Sequence, residues 1–60
     1  MGAKIRERRE AAGMSQKQLA AALGVDPSAV SLWESGKTYP SYANIVKLSE
    51  ALNCDPGDLF

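Results

Sequence analysis

The sequence predicts an all-α fold, one compact domain of five short helices. Three observations carry this. Gly, Pro and capping residues punctuate the chain at short intervals, apolar residues between them recur at spacings of three and four, and no run alternates as a strand would. Sixty residues, 45% hydrophobic and 23% charged, suit a single domain over residues 1–60 with no room for a second. A domain of this size buries only about 60% of its unfolded surface, so helix packing must do the stabilising.

The first helix is expected from about Ala3 to Ala12, with Ile5, Arg9 and Ala12 on one face and Gly13 as its left-handed stop. Ser15 opens the second. With Gln18 it forms a capping box ahead of Leu19, Ala20 and Leu23, and Gly24 ends the helix. Asp26 is the N-cap of the third, with Pro27 at the first helical position and a course of about nine residues to Ser35, before Gly36. Tyr39, Pro40 and Ser41 turn the chain into the fourth, from about Tyr42 to Leu52, whose core stripe is Ile45, Leu48 and Leu52 and which Asn53 can close. Asp55-Pro56-Gly57-Asp58 caps a fifth helix that holds Leu59 and Phe60 and stops after one turn. Because the chain ends inside this element, a fragment lacking a dimer or effector region is one reading of its length.

Composition excludes several classes. With no histidine, one cysteine and no Gly-rich phosphate loop, the chain offers no acid, base, nucleophile or metal-ligand set, so no enzyme, metal, cofactor or small-molecule substrate is expected. Cys54 cannot form an internal disulfide, which suits a reducing cytoplasm, and no basic neighbour in sequence activates it. No apolar run approaches the roughly 18 residues of a membrane span, and no signal-peptide pattern follows the charged start. Net charge is zero but unevenly spread: residues 1–37 carry +2 and residues 38–60 carry −2. A solvated helix face and a mild attraction for a polyanion explain that asymmetry equally well.

Only about three residues around Gly24 join the second and third helices, too few for a relaxed antiparallel hairpin and suited to a sharp crossing, the helix-turn-helix arrangement. Ala20 and Ala21 permit close approach there, and Val25 can plug the corner. A nine-residue helix is about 13 Å long and fits a B-DNA major groove about 12 Å wide. Plain core packing would use the same pair.

Gly13-Met14-Ser15-Gln16-Lys17-Gln18-Leu19-Ala20, Leu23-Gly24-Val25 and Ser28-Ala29-Val30-Ser31-Leu32-Trp33-Glu34-Ser35-Gly36-Lys37, with Pro40, resemble the phage repressor and Cro-type helix-turn-helix family over nearly the whole chain. The resemblance implies a five-helix, lambda-repressor-like domain that binds double-stranded DNA, with its third helix in the major groove. It also implies a transcriptional regulator, usually a repressor working as a homodimer on a two-fold site. Its base-reading positions fall on Gln16, Pro27, Ser28, Ser31 and Leu32, and its phosphate contacts on Gln16, Ser28, Ser35, Gly36, Lys37 and Tyr42. Ser28 and Ser31 can address any base edge, Leu32 only a thymine methyl, and Gln16 alone can pair bidentately with adenine. Many relatives have Arg, Lys or Gln where Leu32 stands, so readout here should lean on DNA shape. The open N-termini of the second and third helices add N–H groups suited to phosphate, and Asp26 opposes it.

Glu34 falls on the inward face beside Trp33 and needs a partner. Arg9 shares the inward face of the first helix, giving an expected part-buried Arg9–Glu34 ion pair, against two solvated charges on a slightly rotated helix. The spacing of Trp33 with Val30 favours packing over ligand contact. Arg6 and Arg8 read as a solvated face, with Glu10 able to pair with Arg6. Leu59 and Phe60, too apolar for a free tail, are the expected dimer contact. The rival reading is a protein-interaction or assembly module, which the neutral charge, Leu32 and the apolar C-terminal end favour.

Overall fold

The computed structural model describes residues 1–60 as helices α1 (Gly2–Ala11), α2 (Gln16–Leu23), α3 (Pro27–Ser35) and α4 (Tyr42–Ala51), followed by a 3-10 turn, Pro56–Leu59. Local chemistry accounts for the boundaries. The Ser15 hydroxyl accepts the Gln18 N–H at 3.0 Å while Gln18 Oε1 accepts the Ser15 N–H at 2.8 Å, closing the capping box of α2. Asp26 Oδ1 accepts the Ser28 N–H at 2.9 Å at the head of α3, and Ser41 Oγ accepts the Asn44 N–H at 3.2 Å at the head of α4. Gly24, at φ 74°, takes the left-handed conformation that lets the Val25 N–H return to the Ala20 carbonyl at 3.0 Å. This closes α2 and turns the chain sharply into α3.

The chain thus has four α-helices where five were expected. Pro56 and Gly57 are poor helix formers, and the four-residue segment closes through i to i+3 bonds, Asp58 N–H to Asp55 O at 2.9 Å and Phe60 N–H to Gly57 O at 3.4 Å. Phe60 lies beyond the turn and is 67% exposed, whereas Leu59 is fully buried. Leu59 is therefore a core residue and unavailable as a dimer contact.

Ile5 of α1, Leu19, Ala20 and Leu23 of α2, Val30 and Trp33 of α3, Ile45 and Leu48 of α4, Leu52 and Leu59 form one buried cluster. Val25 packs against it at the α2–α3 corner, and Trp33 is buried as its spacing predicts. Two small residues depart from expectation. Ala12 caps α1 in the open and Ala21 points to solvent, so Ala20 alone gives the close approach at the α2–α3 crossing. No helix is long and apolar enough to cross a membrane.

Candidate nucleic-acid interface

Helix α3 divides lengthwise. Val30, Trp33 and Glu34 face inward, while Pro27, Ser28, Ser31 and Leu32 face out, Leu32 at 39% exposure. Gln16, at the head of α2, is half-buried and reaches α3: its Nε2 donates to Glu34 Oε1 at 3.1 Å. The loop after α3 continues the surface. Lys37, Tyr39 and Tyr42 are exposed, both tyrosines by more than three-quarters, and the Lys37 N–H donates to the Leu32 carbonyl at 3.1 Å. Pro40 is buried and anchors this loop to the body.

Behind the surface lies a charged cluster. Glu34 has no exposed side-chain area, and its carboxylate accepts from Arg9 Nε at 2.6 Å and Arg9 Nη2 at 3.1 Å. Arg9 Nη1 also donates to the Met14 carbonyl at 2.9 Å, and Arg6 Nε approaches Glu34 Oε1 at 3.4 Å. Burial pushes the Glu34 carboxyl up, but the hydrogen bonds from Arg9 and Gln16, the Arg9 charge and the Arg6 contact outweigh it and hold the group below its ordinary value. The Glu34 hydrogen bond raises Arg9 correspondingly. Arg6 therefore turns to Glu34 rather than Glu10, and Arg8 lies 3.7 Å from Asp58. Cys54 is half-buried, and burial pushes its thiol up.

Asp26 changes the chemistry at the head of α3. Its Oδ1 accepts both the Ser28 N–H and the Ser28 hydroxyl, the latter at 2.8 Å, and these two bonds hold Asp26 below its ordinary value. The Ala29 N–H goes to the Asp26 carbonyl at 2.9 Å. The first amides of α3 are thus already used, contrary to the expectation of an open terminus there. At α2, the Gln16 and Lys17 N–H groups have no partner within the protein, and at the head of α4 the Tyr42 and Ala43 N–H groups are free as well, so these two termini beside α3 offer donors that α3 itself does not. The Ser35 hydroxyl donates to the Leu32 carbonyl at 3.0 Å, leaving its oxygen free to accept.

The helix-turn-helix family model matches residues 5–59, from the first core residue of α1 to the last of the 3-10 turn. The chain belongs to the helix-turn-helix family. Two curated relatives are similar to it. The chain is 41% identical over 56 residues to Repressor protein C2 of Salmonella phage P22 and 39% identical over 56 residues to the HTH-type transcriptional regulator DicA of Escherichia coli K12. Each match covers 93% of the chain but only 26% and 42% of the respective relative, so the chain spans less than half of either. Among solved structures, the restriction-modification controller protein C.AhdI of Aeromonas hydrophila superposes with a TM-score of 0.92 at 44% identity, covering 98% of the chain and 89% of that protein. The P22 c2 repressor in complex with a synthetic operator superposes at 0.93 and 39% identity, with the same coverage.

Within this helix-turn-helix domain, the candidate residues Gln16, Pro27, Ser28, Ser31, Leu32, Ser35, Gly36, Lys37 and Tyr42 all lie on α2, on α3, in the loop after α3 or at the head of α4. Sequence reasoning passed over Tyr39, which adds a phenol beside Tyr42; its place next to Pro40 in a polar loop was the available signal. It also passed over the Gln16–Glu34 bond, which joins two helices and has no trace in local spacing. The depressed Glu34 and Asp26 carboxyls both favour the folded state when ionised. Their contribution is fully present above the unfolded-state values, ordinarily 4.5 and 3.8, and is lost as pH falls through the lower folded values. Thermal melts followed by circular dichroism should therefore drop in midpoint as pH falls below about 4.5, and Glu34→Gln should flatten that dependence.

Proposed function

We propose that this domain binds double-stranded DNA with sequence preference, α3 entering the major groove, and serves transcription regulation as a repressor. The observation that carries the reading is the outward face of α3, Pro27, Ser28, Ser31 and Leu32, standing clear of the core on a backbone that superposes on an operator-bound repressor. Helix α3 is short enough to lie within the groove, and its exposed side chains suit limited base readout. Gln16 joins these as a base or phosphate contact. Lys37 and Tyr42 donate to phosphates, helped by the free Gln16 and Lys17 amides; Ser28 and Ser35 join them by releasing the hydroxyl bonds they make to Asp26 Oδ1 and the Leu32 carbonyl, and Gly36 keeps the approach to the backbone open. Two copies about 34 Å apart on a two-fold site supply the affinity that one short reading helix lacks, and Phe60 remains the apolar candidate for their contact.

Selection of random duplexes by the purified domain tests this directly. A two-fold consensus is expected; a folded sample at low salt that enriches nothing above a scrambled duplex overturns it. Affinity should also fall steeply with added salt, whereas an apolar assembly interface would barely respond. Asp26→Asn keeps an acceptor for the Ser28 N–H while removing a negative charge near the phosphates. Binding at fixed salt should tighten by about fivefold, the weight of a unit charge at contact range in water. Unchanged or weaker binding in a titration would place the head of α3 away from the backbone.

A further inference from the structure

We infer that Arg6, on the first helix, is a further phosphate contact of the DNA interface: its outer guanidinium nitrogens close one side of the cradle that the head of α2 opens. The inference rests on the DNA-binding reading and extends the interface from α2 and α3 onto α1. Two guanidiniums, Arg6 and Arg9, converge on one carboxylate, Glu34. Arg9 takes both carboxylate oxygens, at 2.6 and 3.1 Å, so Glu34 is neutralised without Arg6 and the cluster keeps one positive charge in surplus. That surplus sits outside. The Arg6 side chain is 54% exposed, against 12% for Arg9 and none for Glu34, and only its Nε is engaged, at 3.4 Å. Its Nη edge has no partner in the protein, and neither acid of the same helix, Glu7 or Glu10, pairs with it. Gln16 fixes its place. Arg6 Nε and Gln16 Nε2 bond the same oxygen, Glu34 Oε1, at 3.4 and 3.1 Å, so the two nitrogens are closer together than the sum of those lengths. One phosphate bridges such a gap with hydrogen bonds of about 2.9 Å on each side. The unpaired backbone N–H groups of Gln16 and Lys17 stand nearby, and a guanidinium edge adds to them both charge and a paired-donor geometry matched to phosphate oxygens. Arg8 is different. Two positions on, it faces the opposite side of α1 and lies 3.7 Å from Asp58 of the 3-10 turn.

The test compares Arg6→Gln with Arg8→Gln, which removes the same charge from the other side of α1, on the duplex enriched by the selection above. Neither substitution touches the Arg9 bonds to Glu34, so both variants should melt within a few degrees of the parent. For Arg6→Gln, the slope of log affinity against log salt should be shallower by about 0.9 for each copy bound, with affinity lower by about eightfold per copy near 0.1 M salt. Arg8→Gln should keep the parent slope, and Arg6→Lys, which retains the charge without the fork, should keep most of it. Neutral methylphosphonates placed one at a time along the duplex locate the contact: one phosphate per half-site should matter to the wild-type protein and not to Arg6→Gln. Equal slope changes in Arg6→Gln and Arg8→Gln would make Arg6 a unit of net charge only, and an unchanged slope would leave it a partner of Glu34 only. Either result overturns the proposal, as does the lack of any phosphate coupled to Arg6. Should Arg6→Gln fail to fold, the wild-type protein decides: exchange of the Arg6 Nη protons should slow several-fold on adding duplex while that of Arg8 stays as it was, and no slowing at Arg6 overturns the proposal. A wild-type protein that binds no duplex at low salt removes the DNA-binding reading and the proposal together, an outcome distinct from wild-type binding with no role for Arg6.

Discussion

Glu34→Ala is expected to lower stability by about 3–5 kcal/mol, a large share of the roughly 3–9 kcal/mol available to sixty residues. The substitution takes the acceptor from Arg9 Nε, Arg9 Nη2 and Gln16 Nε2 together, and leaves a guanidinium only 12% exposed with the Met14 carbonyl as its remaining partner. A melting midpoint lower by about 12 °C or more is the corresponding observation. The double variant Arg9→Met, Glu34→Leu should recover part of the loss, because it removes both charges and fills the space with apolar atoms. If Glu34→Ala shifts the midpoint by no more than a few degrees, the carboxylate is as well solvated as any surface acid.

Much of this fold is legible locally. Ser15 with Gln18, Asp26 with Pro27, and Ser41 are caps whose chemistry acts within three residues, and the observed ends of α2 and α3 fall where that chemistry places them. The apolar stripes of α3 and α4 point Val30, Trp33, Ile45 and Leu48 inward by helical period alone. Tertiary terms decide the rest. Leu59 looks like a sticky end in sequence because nothing local says that α1 and α4 leave it a place in the core. Arg6 could reach Glu10 one turn away, yet it turns to Glu34, which only the α1–α3 packing brings near. For the candidate site, the exposure of Ser28, Ser31 and Leu32 follows from the same period that buries Val30 and Trp33. The internal bonds of Ser28 and Gln16, which set what each can still donate, required coordinates.

Gly2→Ala should be destabilising by about 1–3 kcal/mol, the reverse of the gain of up to about 1 kcal/mol that the exchange gives inside an ordinary helix. A Cβ at this position would stand 2.5 Å from the Glu34 carbonyl oxygen and 2.6 Å from that of Trp33. Both are backbone atoms at the C-terminal end of α3, so no flexible side chain can yield, and α1 would have to move off α3. Gly57→Ala is the control, since its Cβ would meet nothing within 4 Å. Chemical denaturation of the two variants should give opposite or clearly unequal shifts; a Gly2→Ala protein as stable as the parent would mean that the start of α1 is not seated against α3. The same contact ties the first turn of α1 to the end of the helix that carries the outward face.

The lengthwise division of α3 has an evolutionary consequence. Since Val30, Trp33 and Glu34 secure the helix while Ser31 and Leu32 touch little of the core, the outward positions past the cap are free to drift at little cost to folding, whereas Pro27 and Ser28 also serve the start of the helix. Gln16 stands apart from that freedom. Tethered to Glu34 in the interior, it is the exposed-face position that mutation can least easily change without disturbing the packing of α2 on α3.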